Sequence, residues 1–99
     1  MTRDEIVERL KAMEPELRAR GITRLQMFGS RARGDARPDS DLDLLVDVDP
    51  DRDLSLFELS AVRLDLSAVL GIETYLIEPE GIGQRFAARI EPDLLPVFP

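Results

Sequence analysis

Apolar residues in the first twenty positions fall at steps of four, three and four: Ile6, Leu10, Met13 and Leu17. That is the spacing of one helix face, and Thr2 with Glu5 three residues later has the spacing of a capping box at its start. Pro15 lies inside the pattern, where it either kinks the helix or opens a second short one at its favoured first position, and Gly21 ends the run. The period then changes. Leu25, Met27 and Phe28 make Arg24 to Phe28 a short strand that stops at the turn signal Gly29-Ser30. Residues 31–40 are polar and broken by Gly34 and Pro38, which predicts a helical turn and a loop. From Asp41 to Val48 the alternation is strict: Leu42, Leu44, Val46 and Val48 point one way, Asp41, Asp43, Leu45 and Asp47 the other. The result is a strand with a core face and a strongly acidic face.

After a turn at Pro50 to Asp53, Leu56, Leu59, Val62, Leu66, Val69 and Leu70 return to helical spacing, so Leu54 to Leu70 reads as a second long helix closed by Gly71. Glu73 to Ile77 is a third strand, Pro79, Gly81 and Gly83 mark a loop, and Gln84 to Glu91 suits a short helix. Pro92 and Pro96 read as breakers of the tail. The order helix, strand, strand, helix, strand, helix predicts an α+β fold: a small mixed β-sheet with helices packed on one face and the other face open for a ligand.

Composition narrows the chemistry. At 99 residues the chain is expected to form one domain over positions 1–99, and 43% apolar with 33% charged residues is a folding mixture. There is no cysteine and no histidine, so any metal must be held by oxygen. No long apolar run appears and the first residues are charged, from which a cytoplasmic protein without membrane contact is expected. A formal charge of -7 opposes extended nucleic-acid binding but not a small nucleotide carried in with a divalent cation.

Asp41 and Asp43, two residues apart on a strand, project from one face about 7 Å from each other. Paired carboxylates there match the hard-oxygen ligation of magnesium, which is typically shared between one or two carboxylates and substrate phosphates. Gly29-Ser30 supplies the other half: glycine lets the backbone approach a phosphate, and serine adds a hydroxyl at the start of the following helical turn. Arg31, Arg33 and Arg37 share the next loop and each offers a forked phosphate contact. Taken singly, each of these arginines is more often a solvated or ion-paired surface residue.

The segment Leu25 to Asp47, LQMFGSRARGDARPDSDLDLLVD, resembles the signature of the minimal nucleotidyltransferases of the polymerase-beta-like superfamily. The resemblance implies that Gly29 and Ser30 cradle a nucleoside triphosphate and that Asp41 and Asp43 bind Mg2+; Ser40, just before the aspartates, also fits, and of the loop arginines Arg31, next to Ser30, is the one expected in the binding set. It implies ATP as substrate and, as in the antitoxins of HEPN toxin pairs, a HEPN-domain ribonuclease toxin as partner. A third carboxylate is usual on the next strand. The position aligned with it here holds Tyr75, and Glu73, two residues earlier on the same face, is the candidate replacement.

Two expectations follow from that resemblance. The first is magnesium-dependent transfer of AMP to a hydroxyl of the toxin, with Asp41, Asp43 and Glu73 catalytic. The second is a binding module of weakened or lost activity that neutralises its partner by contact. Homo- or hetero-oligomerisation is left open.

Overall fold

The computed structural model describes all residues from Met1 to Pro99. It begins with α1 (Arg3–Ala12), whose N-cap Thr2 and third residue Glu5 form the full capping box. Pro15 opens a second short helix rather than kinking the first: α2 runs Glu14–Ala19, and Gly21 follows at φ 96°, a left-handed value that suits glycine. Then come β1 (Ile22–Phe28), the four-residue α3 (Ser30–Arg33), β2 (Leu42–Val48), α4 (Leu56–Leu70), β3 (Thr74–Ile77), α5 (Gln84–Ile90) and β4 (Leu95–Phe98). The strand order is β3-β2-β1-β4. β2 pairs antiparallel with β1 and parallel with β3, and α4 makes the crossover between β2 and β3.

The alternation in β2 sorts the sheet's faces. Leu42, Leu44 and Val46 are buried together with Leu25 and Met27 of β1, and α1, α2 and α4 lay Ile6, Leu10, Leu17, Val62, Leu66 and Leu70 over them. Asp43, Leu45 and Asp47 face the other way. No helix is long and apolar enough to cross a membrane.

Helix α4 is bounded as its sequence dictates. Ser55 accepts a bond from the Glu58 amide at 3.1 Å, and Gly71 closes the far end at φ 68°. Ser55→Ala is expected to cost about 1 kcal/mol, seen as a Tm lowered by roughly 4–8 °C in thermal denaturation. A change of under a degree would show that α4 does not depend on its cap.

Two features depart from the sequence pattern. The tail is not merely broken by its prolines: Leu95–Phe98 is a fourth strand, antiparallel to β1, with Pro96 opposite Gln26. Proline is tolerated there because β4 is an edge strand and needs no ladder bond on its outer side. The second sheet face is also not open throughout. Phe86 of α5 meets Phe28 edge-on with ring centroids 6.0 Å apart, and Leu45 lines a small apolar cavity with Ala87, Ile90 and Leu94. Helix α5 thus covers part of the face, and the acidic end of β2 lies beside that cover.

Candidate active site

The end of β1 is bent into place by Gly29. Its φ of 80° and ψ of −162° lie in a region essentially reserved for glycine. A Cβ added here would lie 2.8 Å from Asp43 Oδ2, so the turn and the second aspartate occupy nearly touching positions. Register explains this, because Phe28 sits directly across from Asp43 in the β1–β2 ladder and Gly29 is the next residue. The chain then enters α3 at Ser30 with no side chain capping the helix. First-turn N–H groups are thereby left to face an external acceptor.

Asp41 lies exposed just before β2, and Asp43 is half-buried inside it. No ion pair or side-chain hydrogen bond of the protein reaches either carboxylate. Burial pushes the Asp43 carboxyl above the usual aspartate range, and the charge of Asp41 adds to it. Two like charges with no internal counter-charge, one of them partly desolvated, are unfavourable alone and favourable around a cation. A donor set of hard carboxylate oxygens beside a turn that admits no side chain fits a magnesium ion carrying phosphates.

The raised value has a sign for stability. The folded state binds the Asp43 proton more tightly than the unfolded chain does. Stability is therefore greatest with the carboxyl protonated and falls as pH rises from the ordinary aspartate value, ~4, through the raised folded one. In buffer free of divalent ions, Asp43→Asn is expected to raise Tm at pH 7, with the difference shrinking as pH falls below that window. Equal melting curves at pH 7 would show that the carboxylate is already compensated.

The loop between the two halves is held from within. Arg31 is buried, and its guanidinium donates to the Ser40 carbonyl at 3.0 and 2.8 Å and to the Pro38 carbonyl at 3.3 Å. Arg31 was expected to contact phosphate; the fold instead uses its fork on backbone carbonyls, because the loop of residues 34–40 curls over it. The Ser40 hydroxyl accepts from the Arg37 amide at 2.9 Å, closing the same turn. Arg33 is ion-paired with Asp93 at 2.9 Å and Asp35 at 3.1 Å. Arg37 is exposed, with no carboxylate partner.

Tyr75 lies in register with Asp43 across the parallel β2–β3 pair, and so on the same face. Glu73 precedes β3, and its carbonyl accepts from the Leu42 amide at 2.8 Å. Its carboxylate, however, takes a bond from Arg63 of α4 at 3.1 Å, and no three acidic side chains are gathered closely enough to hold one ion. The structure brings Asp41, Asp43, Gly29 and Ser30 to one place and keeps Glu73 outside it, because α4 supplies a cation at the sheet edge. Arg63 was invisible to sequence reasoning. It also stacks over Tyr75, its guanidinium carbon 5.5 Å from the ring centre, and nothing in a lone arginine among helical leucines marks that contact in advance.

Comparison with known proteins bears on this arrangement. Residues 3–95 match the nucleotidyltransferase domain family. The chain is 38% identical over 78 residues to the protein adenylyltransferase MntA of Thermococcus cleftensis, covering 78% of this chain and 77% of that protein. A solved minimal nucleotidyltransferase superposes with TM-score 0.81 at 31% identity, over 97% of this chain and 96% of its own. The fold is shared, at 12% identity and TM-score 0.68, with a complex of tri-AMPylated Shewanella oneidensis HEPN toxin and MNT antitoxin, over 98% of this chain and 72% of that one. The four-stranded mixed sheet, the turn at its acidic end and these likenesses agree, and the chain belongs to the nucleotidyltransferase domain family as a minimal, polymerase-beta-like nucleotidyltransferase.

Proposed function

We propose that the protein transfers AMP from ATP to a hydroxyl of a partner protein, a HEPN-domain toxin, and so acts as its antitoxin, all within one domain spanning residues 1–99. The observation that carries this reading is the Asp41–Asp43 pair without an internal counter-charge, with Asp43 set against a turn where no side chain fits. Asp41 and Asp43 would hold Mg2+, which when bound neutralises charge developing on the phosphates. The Gly29-Ser30 turn would take the triphosphate on its free amides and the serine hydroxyl, and Ser40 would keep the loop in place. The likeness to an adenylyltransferase and the shared fold with a toxin-bound antitoxin support the choice of nucleotide and acceptor.

In the transfer, the acceptor oxygen bonds to the α-phosphorus and the bond to the pyrophosphate oxygen breaks. Its proton has no carboxylate to receive it where Tyr75 stands, and passes to water. Lack of a positioned base is worth ~10²- to 10⁴-fold in rate, so turnover is slow. Glu73→Gln is accordingly expected to leave transfer within about fivefold of wild type, the scale of a surface ion pair. A loss far beyond that would make Glu73 the missing base.

The deciding experiment incubates labelled ATP, magnesium, the protein and the product of the adjacent gene, expected to be a HEPN-domain protein. Label on the partner supports transfer. No label, with the partner still silenced, favours the contact-only module that Tyr75 otherwise argues for.

A further inference from the structure

Helix α4 is apolar on both sides. Val62, Leu66 and Leu70 are buried against the sheet, yet Leu56 is 80% exposed, Phe57 88% and Leu64 57%. Phe57, Ala61, Leu64 and Ala68 follow at steps of four, three and four, all exposed, and make a continuous apolar stripe opposite the buried one. A helix apolar on two opposite faces is normally covered on both, and this one has a bare face. At its β3 side the stripe is continuous with a groove of about 250 Å³ lined by Leu56, Leu59, Arg63 and Leu76. Arg63, with Tyr75 stacked on it, connects that groove to the residue in register with Asp43.

We propose that this outer face of α4 is the docking surface for the acceptor protein, and that the matching surface is an apolar strip with a basic rim. Charge selects the occupant. Glu58 flanks the stripe, with Asp51 and Asp53 in the turn that leads into α4, all three exposed and free of ion pairs; Arg20 and Arg52 share the cleft with Glu58, but Arg20 is taken up by Asp65, so the rim stays net acidic. A second copy of this chain, itself at -7, would set those acids against its own. A basic-rimmed protein meets them with opposite charge, and association is then steered by the field. A polyanion is repelled by the same acids. The inference rests on the protein-acceptor reading above, and places the acceptor so that its bound segment runs past Arg63 and Tyr75 toward the aspartates.

The test is a titration of the protein with the product of the adjacent gene, together with sedimentation of the protein alone. Phe57→Ala and Leu64→Ala are each expected to raise Kd at least about tenfold while leaving melting and magnesium-ATP binding as in wild type. Glu58→Lys is expected to slow association, with weaker dependence on salt. Unchanged affinity in both apolar variants, or no complex with the wild-type protein, would overturn the assignment. So would a dimer of the protein alone that dissociates on Phe57→Ala. Failure of the transfer reading looks different: a complex that depends on Phe57 forms, but no label reaches the partner, and the docking surface stands without the chemistry.

Discussion

Asp43→Asn is expected to reduce transfer at least ~10²- to 10³-fold, the range seen when a group stabilising developing charge is removed. The substitution keeps the side chain's size and its place in the β1–β2–β3 ladder, so a folding defect is not the cause. Ligand binding gives a second readout. At free magnesium-ATP near 100 times Kd, mass action adds ~2.7 kcal/mol to the wild type, which for a domain of this size is a Tm increase of roughly 10–20 °C. Asp43→Asn should lose most of that increase while melting higher than wild type without ligand. The opposite signs are diagnostic, since a merely damaged protein melts lower in both conditions. Retention of both the transfer rate and the ligand-induced shift would remove Asp43 from the site.

Gly29→Ala should injure the protein in two ways at once. The backbone angles at this position are hostile to any side chain, a strain of ~1–3 kcal/mol and a loss of roughly 4–20 °C in Tm. The added methyl would also lie 2.8 Å from Asp43 Oδ2. That oxygen is the end of a side chain and can move, which limits the further loss of stability but displaces the atom assigned to the metal. Activity is therefore expected to fall with Asp43→Asn even at temperatures where the variant remains folded. Gly81→Ala serves as the control for melting and magnesium-ATP binding, with nothing within 4 Å of the added carbon and no positive φ, and should be neutral in both. Activity of Gly29→Ala comparable to wild type would mean that the turn does not set the aspartate.

What the sequence revealed, and what it hid, follows from the range of the forces involved. β2 was legible because a half-buried strand must alternate, and the same alternation put Asp41 and Asp43 on the face away from Leu42 and Leu44. The boundaries of α1 and α4 were legible because Thr2, Glu5, Ser55 and Gly71 act on residues within one turn of themselves. β4 was not, since a four-residue strand interrupted by proline is made a strand only by β1, some seventy positions away. The cover of α5 over Phe28 and Leu45 depends in the same way on a distant pairing. Arg31 illustrates the limit most clearly. Its position beside Gly29-Ser30 suits a phosphate ligand, and only the path of the later loop reveals three carbonyl groups waiting for its fork.

That guanidinium leaves the first turn after Gly29-Ser30 and fastens the segment feeding Asp41. The glycine turn and the acidic strand are consequently joined by an internal brace. If nucleotide binds there as proposed, capture would demand little rearrangement, and association is expected to show no lag from loop closure. On the proposed reading, selection among acceptors would then be left to how a partner seats itself rather than to closure of the site upon it.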